Sequence, residues 1–106
     1  MRQAAIKYKD KVAGTLTQLD DGSFNFSYLD SWLSNPELPS ISLTLPKSQQ
    51  EYHSRYLFPF FYNMLPEGTN KQTVCKALRI DPDDYFSLLL QTARHDTIGA
   101  ITVEKI

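Results

Sequence analysis

The feature that most restricts the fold is a change in hydrophobic period near the middle of the chain. In the first 45 residues apolar side chains favour alternate positions, and Phe24-Asn25-Phe26-Ser27-Tyr28 alternates strictly, as a strand with one buried face does. From about residue 56 onward the apolar residues are spaced three or four apart, as on one face of a helix. Strands followed by helices are typical of an α+β fold, because α/β folds alternate the two kinds of element.

The first half contains four predicted strands, each ended by turn residues: Ala4–Tyr8, Val12–Gln18, Phe24–Tyr28 and Ile41–Leu45. Asp21-Gly22 is a strong hairpin signal, so the first three strands are predicted to form an antiparallel meander. In the fourth strand Ile41, Leu43 and Leu45 alternate with hydroxyl residues, and all three are predicted to face the core. Gly14 lies inside a strand, where glycine indicates a bulge or a close backbone approach. Residues 47–55 are predicted to be a polar connector.

The second half is predicted to form a helical cluster and one more strand. Its helical segments are Phe60–Leu65 after Pro59, Asn70–Leu78 and Tyr85–Ala93, and a capped helical turn is predicted earlier, at Asp30–Leu33. Asp81 is the expected N-cap of the last helix, with Pro82 at its first position. The inward-facing residues are expected to be Val74, Ala77 and Leu78 on one helix and Phe86, Leu89, Leu90 and Ala93 on the next.

Ile98–Val103 is predicted to return to the sheet as the last strand. The expected architecture is therefore a single α+β domain over residues 1–106, with a small antiparallel meander sheet, a helical cluster and a C-terminal returning strand.

Charge and cysteine content narrow the functional class. The chain has 11 Lys and Arg against 12 Asp and Glu, a formal net charge of −1, whereas dedicated nucleic-acid binders carry a basic surplus. Cys75 is the sole cysteine and is expected to be buried as a small apolar side chain, without a disulfide partner. No segment approaches the roughly 20 apolar residues of a membrane span, and no signal-peptide pattern follows Met1. The expected compartment is therefore the cytoplasm.

No catalytic, cofactor-binding or metal site is predicted. The four glycines are scattered singly, which excludes a phosphate-binding loop, and no Gly-x-Ser-x-Gly motif is present. His53 and His95 lie in different regions without the spacing of metal ligands. The acidic residues at 81, 83 and 84 are explained by helix capping, so they do not require a metal ion.

The densest group of aromatic residues lies between positions 56 and 62. Its members are Tyr56, Phe58, Phe60, Phe61 and Tyr62. Stacking on nucleic-acid bases is one interpretation, but the near-neutral net charge favours a core seam with one exposed edge. An exposed aromatic edge also suits a protein interface. By themselves, the residues therefore predict a small module that binds a partner.

Several segments, in order along the chain, resemble the N-terminal subdomain of the HipA-type serine/threonine kinase toxins. These are the hairpin at 12–28, Trp32-Leu33, Pro39–Pro46 (similar to P-x-S-x-S-L-P), Phe58–Gly68 (similar to F-F-x-N-L-L-P-E-G), Leu78–Leu89 (similar to L-G-I-x-x-x-D-x-F-x-L-L) and 95–101 (similar to x-D-x-x-G-A-L). The segment Phe58–Gly68 is the most specific match, and the likeness spans nearly the whole chain.

The resemblance implies a non-catalytic protein, because the kinase core that follows this subdomain in the family is missing from the 106 residues. A free-standing copy resembles the HipS antitoxins of tripartite HipBST toxin–antitoxin systems, in which the HipT kinase lacks this subdomain and HipB binds DNA. The implied function is an antitoxin that binds and neutralises a HipT-like kinase. Two alternatives are a non-inhibitory subunit that bridges the kinase and a HipB-like protein, and a remnant of a degraded toxin.

The leading candidate for partner contact is the loop Leu65-Pro66-Glu67-Gly68-Thr69, because Pro66 and Gly68 give it a specific shape. Its Glu67 either meets a basic residue of the kinase or caps the following helix. Trp32 and the turn from Asp96 to Gly99 are secondary candidates, although a plain core residue is the favoured interpretation of Trp32. Neither direct nucleic-acid contact nor a membrane partner is expected.

Overall fold

Five antiparallel strands in the order β4-β3-β2-β1-β5 form the framework of the domain in a computed structural model that describes residues 1–65, 68–93 and 100–106. The elements within those residues, in chain order, are β1 (Arg2–Tyr8), β2 (Lys11–Gln18), β3 (Phe24–Tyr28), α1 (Asp30–Ser34), β4 (Glu51–Ser54), α2 (Pro59–Tyr62), α3 (Gly68–Leu78), α4 (Tyr85–Thr92) and β5 (Ile101–Lys105). The predicted α+β class is confirmed.

The predicted meander of β1, β2 and β3 is confirmed. The turn between β1 and β2 has Lys9 and Asp10 at φ 47° and 68°, the left-handed conformation of two-residue hairpin turns. Between β2 and β3, Gly22 has φ 88°, and its N–H donates to the Leu19 carbonyl at 2.9 Å. A glycine adopts this conformation without steric cost, which is why Asp-Gly marked the turn correctly.

Gly14 has both properties expected of a glycine inside a strand. The register of β1 and β2 shifts between Ile6 and Lys7, which pair with Gly14 and Val12, so Ala13 forms a bulge. A Cβ at Gly14 would lie under 3.0 Å from the carbonyl oxygen of Ser27 on β3. The close packing of β2 and β3 therefore requires glycine at this position.

The predicted fourth strand at Ile41–Leu45 is wrong. These residues form bends and turns, because the Tyr28 hydroxyl holds the backbone at both ends of the segment: the Ile41 N–H donates to it at 3.1 Å, and it donates to the Leu45 carbonyl. Ile41 and Leu45 are buried as expected, but Leu43 is 99% exposed. The hydroxyl residues between them hydrogen-bond locally, which competes with strand pairing.

The fourth strand lies instead in the segment predicted to be a connector. β4 pairs antiparallel with β3, where Phe26 lies opposite Tyr52 and Asn25 opposite His53. The strand is short, polar and at the sheet edge, as edge strands commonly are. Only Tyr52 gives it an apolar side chain, so periodicity could not reveal it.

The predicted short helices are present with changed ends. α1 begins at Asp30. Its N-cap residue is Leu29, whose side chain makes no capping hydrogen bond, so the side-chain cap predicted from the sequence is absent. The Asp30 carboxylate instead accepts a hydrogen bond from Gln50 Nε2 at 2.6 Å. α2 begins at Pro59 as predicted and ends at Tyr62, earlier than the expected Leu65.

The two longer helices are confirmed, with two corrections. In α3 the buried residue is Cys75, as expected of its thiol, while Val74 is half-buried and Ala77 and Leu78 are exposed. The face of α3 that is buried therefore differs from the predicted one, because it contains Cys75 and not Ala77 or Leu78. The N-cap of α4 is Asp84, not Asp81, because the Asp84 carboxylate accepts from the Ser87 N–H at 3.2 Å. The Asp81 carboxylate accepts from the Asp83 N–H in the turn before it.

The core lies between the sheet and the helices. Phe61 of α2 contacts Phe26 of β3, with ring centroids 6.0 Å apart. The Val103 N–H of β5 donates to the Ala93 carbonyl at the end of α4 at 2.7 Å, and both residues are fully buried. The returning strand is thus confirmed from Ile101 onward, while the predicted start at Ile98 lies outside the described residues. No helix among the described residues is long and apolar enough to cross a membrane.

Candidate partner-binding surface

The predicted contact loop at 65–69 is described only at its two ends. Leu65 is buried in the core, and Thr69 is exposed in the first turn of α3. The Thr69 carbonyl accepts a hydrogen bond from the Thr73 hydroxyl at 2.9 Å, which fixes the start of the helix. Pro66 and Glu67 lie outside the described residues. α3 begins at Gly68, two residues before the predicted Asn70, so the last two residues of the predicted loop are helical.

The secondary candidates lie elsewhere. Trp32 of α1 is 2% exposed, and its indole Nε1–H donates to the Pro39 carbonyl at 2.8 Å. Its ring meets Tyr8 edge-on, with centroids 5.9 Å apart. Trp32 therefore has the environment of a core residue, the other interpretation that its sequence allowed. Asp96 and Gly99 lie outside the described residues.

A second surface, which the sequence did not predict, is the loop Pro39–Pro46, here called the 39–46 loop. The Tyr28 hydroxyl bonds to the backbone at Ile41 and Leu45, as described above. Lys47 holds the base of the loop from outside, because its Nζ donates to the carbonyls of Asn35 and Leu38, each at 2.7 Å. A loop with this many backbone tethers has little conformational freedom left.

Leu43 stands at the tip of the 39–46 loop, inside a turn closed by its neighbours. The Ser42 and Thr44 hydroxyl oxygens lie 2.9 Å apart, and the Thr44 N–H donates to Ser42 Oγ at 3.2 Å. The Leu45 N–H donates to the Ser42 carbonyl at 3.2 Å. The turn thus directs the leucine side chain outward while its neighbours Ile41 and Leu45 point inward.

The aromatic group at 56–62 divides between core and surface. Phe58 and Phe61 are buried and touch with centroids 6.3 Å apart. Tyr56 is 75% exposed and Tyr62 is 45% exposed. This is the pattern of a core seam with an exposed edge, one of the interpretations given by the sequence.

An ion pair at the start of α4 has a structural role. Arg2 of β1 forms an ion pair with Asp84, with 2.8 Å between the guanidinium nitrogen and the carboxylate oxygen. The hydrogen bond from Arg2, aided by those from Ser87, holds the pKa of the Asp84 carboxyl below its ordinary value of 3.8. The Arg2 guanidinium also lies over the Phe86 ring at 4.9 Å from its centroid. These contacts fasten α4 to the sheet.

Burial raises the pKa of the Tyr28 hydroxyl above its ordinary value of 10.0. The group is therefore neutral at physiological pH and can donate to Leu45 while it accepts from Ile41. Within the described residues no group of three or more His, Cys, Asp or Glu side chains is placed to hold a metal ion. The perturbed groups thus serve the fold, and the exposed apolar side chains are the features suited to binding.

The fold defines a small α+β domain built on a five-stranded antiparallel sheet. The family model of the HipA N-terminal domain matches residues 4–104. A solved structure described as the N-terminal domain of HipA toxin superposes with a TM-score of 0.72 at 29% sequence identity, over 100% of this chain and 93% of that one. The chain therefore belongs to the HipA N-terminal domain family.

Relatives carry this domain in two settings. In "Putative kinase Y4mE" and "Putative kinase Y4dM" of Sinorhizobium fredii, 29% and 30% identical, the match covers 84% and 92% of this chain but only 21% and 25% of those proteins. A protein of Haemophilus influenzae is 35% identical over 92 residues, which are 85% of this chain and 80% of that protein. The chain thus spans about a quarter or less of the kinase-named relatives, but most of the third.

Proposed function

We propose that this chain is an antitoxin that binds and neutralises a HipA-like serine/threonine kinase of the HipT type, without catalysis of its own. The observation that carries the proposal is the double setting of the domain in its relatives. The same domain is a minor part of two kinase-named proteins and most of another protein. If the domain packs on the kinase when both are in one chain, the same surface can bind the kinase when the domain is a separate chain.

The proposed action is binding that blocks the kinase or holds it inactive. A bound domain at the active-site entrance excludes substrate, and a domain that prefers the inactive arrangement of the kinase lobes shifts the equilibrium toward it. The loop at 65–69, with Asp96 and Gly99 as further contacts, remains our proposed contact region. The exposed Thr69 at the start of α3 is compatible with this role. Trp32, the remaining candidate, is 2% exposed, so we assign it to the core and not to the contact region.

The test is co-expression with a HipA-like kinase of the HipT type from the same genome. Induction of the kinase alone is expected to stop growth, and simultaneous expression of this chain is expected to restore it. A catalytically inactive kinase variant is the control, since it should not affect growth with or without the chain. Growth arrest that persists although the two proteins co-purify would identify a bridging subunit to a HipB-like protein and refute the antitoxin role.

A further inference from the structure

The 39–46 loop holds one apolar side chain almost fully in solvent. Leu43 is 99% exposed, whereas Ile41 and Leu45 on either side are buried. We propose that Leu43 is a preformed anchor that inserts into an apolar pocket on the kinase partner. The inference rests on the proposed function and adds to it a docking residue outside the 65–69 loop.

A single exposed leucine is common on protein surfaces and by itself indicates nothing. Leu43 differs because the backbone around it is fixed from three sides. The Tyr28 hydroxyl tethers Ile41 and Leu45, Lys47 fastens the base of the loop, and the hydroxyls of Ser42 and Thr44 close the turn itself. Binding through a side chain on a fixed backbone loses little conformational entropy, so this arrangement favours affinity.

The chemistry of the loop limits the kind of pocket that fits. The residues next to Leu43 are neutral hydroxyl residues, and Thr44 beside it is exposed. The expected receptor is therefore an apolar pocket large enough for one leucine side chain, with an uncharged rim. We assign this pocket to a kinase chain because two relatives named as kinases contain this domain as only 21% and 25% of their length, so the rest of each polypeptide is covalently joined to it.

The experiment is isothermal titration of a HipA-like kinase from the same genome with the wild-type chain and with Leu43→Ala. Burial of a leucine side chain corresponds to roughly 10- to 100-fold in affinity, so Leu43→Ala should raise the Kd by that factor. Leu43→Met conserves volume and apolar character and should restore most of the affinity. The thermal midpoint of all variants should remain unchanged, because Leu43 makes no core contact.

Leu78→Ala is the matched control, since Leu78 is another exposed leucine, 47% exposed at the end of α3. It should bind as the wild type does. If Leu43→Ala binds the kinase as tightly as the wild type, Leu43 is not an anchor, although the antitoxin proposal stands. If the wild type itself does not bind the kinase, both proposals fail. A concentration-dependent dimer that Leu43→Ala abolishes would assign the leucine to a second copy and overturn the inference.

Discussion

At the scale of single residues, Tyr28 links the core to the 39–46 loop. Its ring is buried and meets Phe26 edge-on with centroids 4.9 Å apart, while its hydroxyl bonds to the loop backbone at both Ile41 and Leu45. This one hydroxyl group therefore bonds to the loop backbone at two places, where a strand would have bonded to a neighbouring strand. The alternating residues 41–45 form a loop because this partner is available.

Tyr28→Phe removes that hydroxyl, so the buried N–H of Ile41 and the Leu45 carbonyl lose this hydrogen-bond partner. We expect the free energy of unfolding, measured by urea denaturation, to fall by about 2–3 kcal/mol, since unpaired buried polar groups are costly. Tyr52→Phe is the matched control. Its hydroxyl donates to the exposed side of the same loop, at the Pro46 carbonyl 2.6 Å away, and its loss should cost about 1 kcal/mol or less. Equal losses in the two variants would contradict the proposed tether.

At the scale of elements, the N-cap residue of α4 also forms an ion pair with a residue of β1. Asp84 accepts hydrogen bonds from the N–H and hydroxyl of Ser87 and pairs with Arg2. Asp84→Ala should lower the free energy of unfolding at pH 7 by about 1–2 kcal/mol, the usual effect of losing a cap. Asp84→Asn should lose less, because asparagine also caps helices. Asp83→Ala, one residue earlier and exposed, should stay within about 0.5 kcal/mol of the wild type.

The contribution of Asp84 to the free energy of unfolding depends on pH in a defined direction. The pKa of this carboxyl is lower in the folded chain than its ordinary 3.8, owing mainly to the hydrogen bond from Arg2. The unfolded chain therefore binds the proton first as pH falls, so the stabilisation is present above pH 3.8 and is lost as pH falls through the lower folded value. The difference in stability between wild type and Asp84→Asn should shrink below about pH 4. A difference that stays constant between pH 7 and pH 3 would show that the charge does not contribute.

The elements also show which structure the sequence could predict. β1, β2, β3, α3 and α4 follow from local signals, namely alternation, the turn at Asp21-Gly22 and helical spacing. β4 could not be predicted in this way, because a short polar strand is defined by its pairing with β3 and not by its own residues. Asp84 was missed as the cap because Asp81-Pro82 has the usual pattern of a helix start, while the actual helix begins three residues later.

The candidate surface was predicted only in part, for a similar reason. Resemblance pointed to the 65–69 loop, but alternation placed Leu43 in the core with Ile41 and Leu45. Its exposure depends on the Tyr28 hydroxyl and on Lys47, which are 15 residues before and 4 residues after it in the chain. Tethers of this kind leave no periodic pattern in the sequence.

At the scale of the whole molecule, the proposed contact loop can be tested separately from Leu43. Replacing Glu67 and Thr69 together with alanine should weaken binding to the kinase by about 10-fold or more in calorimetry, since charge-assisted contacts at an interface are lost. Asp20→Ala removes an exposed carboxylate in the turn between β2 and β3 and should leave the affinity unchanged. Unchanged affinity in the double variant would remove the 65–69 loop from the interface.

The central claim is that this HipA N-terminal domain neutralises a kinase by binding it. The most direct measurement is the phosphorylation rate of a purified HipA-like kinase from the same genome as this chain is added in increasing amounts. We expect the rate to fall to baseline near one equivalent of the chain, and Leu43→Ala to shift the inhibition curve to higher concentration. A kinase that keeps its full rate while it forms a stable complex with the chain would contradict the account.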